Sequence, residues 1–147
     1  RLDEAIEDAQ SMMNEGYRNS SVYGMLGYFK LLRNDDLDET TKLCEEAYDY
    51  NSDDRDIQDN LSICYFRKGD YEKAEKISDE LVVAAPNFVE GFYHGIQIAM
   101  KLNKYDKAAE YTEKLKECKR SGMTTVTEEE VNKLIQEVKN HNENTIG

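Results

Sequence analysis

The chain has 147 residues, enough to bury a sizeable core, and its longest apolar run, residues 81–85, falls far short of the roughly twenty a membrane helix needs. Thirty-one acidic side chains against nineteen basic ones leave a net charge of −12 and a pI near 4.6. Nucleic-acid binding is driven by Lys and Arg displacing counterions from phosphates, so neither a nucleic-acid partner nor a membrane span is expected in this segment.

One proline, eight glycines and apolar residues recurring at three and four predict an all-α chain. Leu2, Ala5, Ile6, Ala9, Met12 and Met13 make one face of a first helix that ends near Gly16. A second helix is expected over residues 21–33, and Asp36 followed by Glu39 reads as a capping box opening a third. The fourth runs over residues 54–68 until Gly69 breaks it. Asp70 then caps a fifth, in which Tyr71, Ala74, Ile77 and Leu81 recur until Pro86 forbids continuation. Asn87 with Glu90 is the next capping pair, opening a sixth helix with Phe92, Gly95, Ile96, Ala99 and Leu102. A seventh follows from Tyr105 and should stop before Gly122. Thr127 with Glu130 is another capping box, and Val131, Leu134, Ile135 and Val138 fall at i, i+3, i+4 and i+7 on an eighth helix.

The stretch Gly69-Asp70-Tyr71-Glu72-Lys73-Ala74 recurs thirty-four residues later as Asn103-Lys104-Tyr105-Asp106-Lys107-Ala108. Aligning the trailing helices on their small residue gives Ala5, Thr40, Ala74 and Ala108, separated by 35, 34 and 34 residues, the period of a helix-turn-helix unit. Tyr23, Leu26 and Gly27 carry one part of a shared pattern; Leu61, Tyr65, Gly69, Tyr71, Ala74 and Pro86 carry most of it; Phe92, Tyr105 and Ala108 carry a third copy. In these residues the chain resembles the tetratricopeptide repeat family over about residues 2–120, with Sel1-like and other helical-pair repeats as the alternative. Gln58, Lys30, Ser78 and Thr112 stand where that family usually has an aromatic.

The resemblance implies a right-handed superhelical solenoid of antiparallel helix pairs with a C-terminal capping helix, in one domain over residues 1–147. Residues 1–16 would be the second helix of a truncated repeat, 20–52, 53–86 and 87–120 three repeats, 127–141 the cap and 142–147 a frayed tail. It also implies that the first helix of each pair lines a concave groove. Removing the positions that face the partner helix leaves three stripes: Ser21, Gly24, Met25, Tyr28 and Leu32; Asp56, Asp59, Asn60, Ile63 and Arg67; Glu90, Tyr93, His94, Gln97 and Lys101. Aromatic and aliphatic groups mixed with amides and carboxylates suit a protein or peptide partner that is neutral or basic and partly apolar. Family members that grip a C-terminal carboxylate use Lys, Arg and Asn on these faces. Gly24, Tyr28 and Asp59 occupy much of that surface here, so such a clamp is not expected.

Chemistry is sparsely marked. Cys44, Cys64 and Cys118 form no metal-ligand spacing and no disulfide framework; each reads as a small apolar residue near a helix interface, which suits a reducing compartment such as the cytoplasm. The chain opens at Arg1 inside a helical pattern, so its N-terminus reads as trimmed and any signal or anchor would be invisible. His94 and His141 have no nucleophile beside them in sequence, and no phosphate-cradling glycine loop or zinc-protease motif occurs, so no enzyme, cofactor or metal is expected. Carboxylates crowding residues 35–56 read as a solvated face or, alternatively, as an attraction for a basic partner. Two functions follow: an interaction scaffold that takes a peptide in the groove, or a structural module that forms homodimers through the Met12 and Met13 face of the N-terminal helix.

Overall fold

A computed structural model describes the backbone of residues 1–146 and the side chains of residues 1–143. Among the described residues there are eight helices and no strand: α1 Leu2–Asn14, α2 Ser20–Arg33, α3 Leu37–Tyr50, α4 Arg55–Lys68, α5 Tyr71–Ala84, α6 Val89–Lys101, α7 Tyr105–Glu117 and α8 Glu128–Ile146. None is long and apolar enough to cross a membrane.

Local chemistry sets most boundaries. Side-chain oxygens of Asn19, Asp36 and Asp54 accept from the free N–H groups at the starts of α2, α3 and α4. Gly69 ends α4 in the left-handed region at φ 84°, where a side chain would be strained, and Asn34 takes the same role after α2 at φ 59°. The Thr127–Glu130 box closes in both directions: the Glu130 N–H donates to Thr127 Oγ1 and the Thr127 N–H to Glu130 Oε1, each at 3.1 Å. The expected Asn87 cap does not form. Phe88, buried at the helix start, takes the N-cap position of α6 and makes no side-chain cap. At the other end of the chain α8 continues to Ile146, past the boundary at residue 141; Gly147, the last residue of the expected tail, lies outside the described residues.

The chain divides into two compact units, Arg1–Asp70 and Tyr71–Gly147. In the first, α2 packs against α1, α3 and α4, and α3 against α4. Ile6, Ala9 and Met13 from α1 meet Val22, Tyr23 and Leu26 from α2, with Ala47 and Ile57 completing the cluster. In the second, α6 packs against α5, α7 and α8, and α7 also against α8. Its core joins Phe92, Ile96 and Ala99 of α6 to Ala108, Tyr111 and Leu115 of α7 and to Leu134 and Val138 of α8. Thus α8 buries two of its four expected aliphatic residues fully, while Val131 and Ile135 are half-buried.

Small residues allow the close approaches. A Cβ added at Gly27 would lie 3.1 Å from Asn60 Nδ2 and 3.2 Å from Cys44 Sγ, and one at Gly95 would lie 3.1 Å from both Ser78 Oγ and the Tyr111 ring. Cys44 and Cys64 are buried free thiols of α3 and α4, as their apolar reading requires. Contact with Cys64 and burial both push the Cys44 thiol far above its ordinary value, which keeps it protonated.

Candidate functional site

The stripes expected to form a surface are judged within each unit. On α2, Met25 and Leu32 are 42% and 52% exposed, and Tyr28, on the same face one turn from each, is half-buried beside Phe29 with ring centroids 5.9 Å apart. Two exposed aliphatic side chains and a tyrosine along one helical face therefore contribute little to the core. Ser21 extends this face and is exposed; Gly24 is buried, and a Cβ there would meet Asp56 Cβ at an ordinary 3.5 Å.

On α4 the stripe splits by depth. Asp56 is exposed at the first turn, Ile63 half-buried and Arg67 exposed, but Asp59 and Asn60 lie inside, at 7% and 4% exposure. Asn60 Nδ2 donates to the Gly24 carbonyl oxygen at 3.0 Å, so this amide joins α4 to α2 and is not offered to a ligand. Arg67 Nη1 donates to the Leu31 carbonyl at 3.0 Å, capping the C-terminal end of α2 where a cation is favoured. Partial burial raises the Asp56 pKa, and the charges of Asp54 and Asp59 add to the rise, against the attraction of Arg55. A carboxylate in that state gains from an incoming cation.

On α6, Tyr93, His94 and Gln97 are half-buried, Lys101 is exposed and Glu90 is buried. The Tyr93 and His94 rings meet edge to face, 5.5 Å between centroids. Burial raises the Tyr93 pKa, and Glu130 and Glu137 of α8 raise it further. Those two carboxylates are residues that the sequence reading did not assign to a surface. Their signal was present: they stand at i and i+7, one position ahead of Val131 and Val138 on the same helix.

The N-terminal helix gives a different picture. Met13, half of the expected dimer face, is buried in the first unit's core beside Ile6 and Ala9, and Met12 keeps partial exposure. His141 stacks on Tyr105, with ring centroids 3.5 Å apart. Among the described residues no group of His, Cys, Asp and Glu is arranged to hold a metal ion.

Comparison with known proteins gives a coherent result. Residues 31–91 match the tetratricopeptide repeat family. No curated protein sequence matches the chain. Among solved structures, the Sgt2 tetratricopeptide repeat domain from Aspergillus fumigatus matches with a TM-score of 0.72 at 17% identity, over 86% of this chain and 80% of that one. A tetratricopeptide repeat protein from Parabacteroides merdae matches at 0.68 and 18% identity over 95% of this chain, which spans only about half, 54%, of that protein. YrrB, described as a tetratricopeptide repeat protein with an unusual peptide-binding site, matches at 0.69 and 16% identity, over 95% of this chain and 66% of that one. At such identities the likeness is one of fold. Residues 31–91 thus carry a tetratricopeptide repeat match, and the all-helical chain around them has the fold of these tetratricopeptide repeat proteins.

Proposed function

We propose that the chain is a non-catalytic protein-interaction scaffold that binds neutral or basic, partly apolar peptides on the uncovered faces of its leading helices, on α2 with α4 within the first unit and, separately, on α6 within the second. The observation that carries this reading is the α2 face: Met25 and Leu32 flank Tyr28 and are left in solvent. Apolar side chains set beside polar groups are what a peptide needs for affinity and register respectively. In the first unit Asp56, exposed at the first turn of α4 and with its pKa raised by burial and neighbouring carboxylates, supplies a seat for a Lys or Arg of the partner. In the second, Tyr93, His94, Gln97 and Lys101 supply ring faces and hydrogen-bonding groups. Asp59, Asn60 and Glu90 are buried and enter the reading only as supports of these helices. That YrrB, of the same fold, is described by its peptide-binding site adds to the plausibility of peptide binding. Both histidines pack against tyrosine rings, a role that needs no proton transfer.

Selection from a random peptide library displayed against the wild-type chain tests this. Enriched peptides should pair Lys or Arg with aliphatic or aromatic residues, and Tyr28→Ala with Leu32→Ser should weaken them about tenfold by fluorescence anisotropy. Unchanged affinity would remove the α2 face from the reading. The homodimer reading draws no support from α1, because Met13 is used inside its own unit.

A further inference from the structure

The second unit carries another uncovered surface, between α5 and α7. Asp79, Val82, Val83 and Pro86 follow one another at helical spacing along α5 and its trailing loop, opposite Lys107, Tyr111 and Lys114 on α7. At one end the two stripes are tied: Lys107 Nζ donates to Asp79 Oδ2 at 2.7 Å and the Tyr111 hydroxyl to Asp79 Oδ1 at 2.8 Å. At the other end Cys118 Sγ approaches the Pro86 carbonyl oxygen at 3.7 Å, while its single S–H has the Lys114 carbonyl nearer, at 3.4 Å. Between these ends lies an open groove of about 500 Å³. Its floor is apolar, made by Val82, Phe92 and Tyr111. Val83 stands at the α5 side, 82% exposed, and Glu110, Lys114 and Glu117 line the α7 side.

We propose that this groove is a second docking surface, for a peptide segment that seats an aliphatic side chain between Val83 and Tyr111 and a Lys or Arg against Glu110 and Glu117. The Tyr111 hydroxyl is already taken by Asp79, so the tyrosine offers the groove its ring and no free donor. An aliphatic group is the complement of that floor. Two carboxylates against one ammonium give the α7 side a net negative charge, which selects a basic neighbour for the aliphatic anchor. A second copy of the chain is a poor occupant, since two molecules of charge −12 repel. The groove is separate from the α6 face proposed above: α6 contributes Phe92 to it, not Tyr93, Gln97 or Lys101.

The test uses the full chain and two fluorescein-labelled peptides, one of leucine, lysine and alanine and one in which glutamate replaces lysine. Anisotropy should show the lysine peptide bound and the glutamate peptide not. Val83→Asn, at an exposed position that leaves the helices intact by circular dichroism, should weaken the lysine peptide about tenfold, and Glu110→Gln with Glu117→Gln should do likewise at low salt. In a chain that already carries Tyr93→Ala and Leu32→Ser, which disable the leading-helix surfaces, the lysine peptide should still bind and Val83→Asn should still weaken it, which separates the two surfaces. Equal binding of the two peptides, no binding of either, indifference to Val83→Asn, or self-association of the chain that Val83→Asn abolishes would each overturn the proposal.

Discussion

Gly27 and Gly24 lie three residues apart on α2 and do different things. At Gly27 a methyl group would press on Asn60 Nδ2, which is fixed by its bond to the Gly24 carbonyl, and on the buried Cys44 Sγ. Overpacking of this kind costs about 1–3 kcal/mol and outweighs the roughly 1 kcal/mol that alanine gains over glycine in a helix. At Gly24 the same methyl group meets Asp56 Cβ at an ordinary distance. Gly27→Ala should therefore lower the urea midpoint, while Gly24→Ala leaves it equal or higher. A second residue-scale prediction concerns Glu75 of α5. Burial pushes its pKa up, but hydrogen bonds from Lys104 and Lys107 at 2.8 Å outweigh that and hold it below the ordinary glutamate value. A carboxylate with a depressed folded pKa contributes stability that is present above its unfolded value and lost as pH falls through the folded one. Glu75→Gln should thus cost about 1 kcal/mol at neutral pH, after screening at the half-exposed Lys104 end, and the difference from wild type should shrink as pH falls below the ordinary glutamate value of about 4.3 and through the lower folded one. Melts as a function of pH measure it.

At the scale of elements, α8 depends on how it begins. Its first turn holds Glu128, Glu129 and Glu130, which suit the positive end of the helix dipole, and Thr127 and Glu130 satisfy each other's N–H groups. Thr127→Ala should cost about 1 kcal/mol, read as a lower unfolding midpoint with α8 shortened at its start by amide exchange. Losses elsewhere than α8 would contradict the assignment. The capping pairs show why local patterns succeed and fail. Thr127–Glu130 and Asp36 act within one turn and need nothing from outside, so their order in the chain suffices. Asn87–Glu90 has the same spacing, yet burial of Phe88 sets where α6 starts. Hydrophobic burial, worth about 1.5–3 kcal/mol for such a side chain, exceeds the about 1 kcal/mol of a cap, and the larger effect wins.

Across the molecule the net charge is −12, and both proposed docking surfaces draw on it, through Asp56 in one unit and Glu110 with Glu117 in the other. The spacing of Ala5, Thr40, Ala74 and Ala108, together with the three-and-four recurrence of apolar residues, determined by itself that the chain is helical and built from paired helices of the tetratricopeptide repeat kind, because backbone hydrogen bonding and the 3.6-residue period act over neighbouring residues. What only the tertiary structure decided is which side of each helix remains uncovered. Asn60 and Leu32 both sit at surface positions of the helical pattern, yet one is buried against Gly24 and the other lies in solvent. The groove lined by α5 and α7 likewise depends on residues far apart in the chain, Val82 and Val83 on one side and Glu110 to Glu117 on the other. Exposure is fixed by neighbours far away in the chain, and a periodic pattern on one helix holds no record of them.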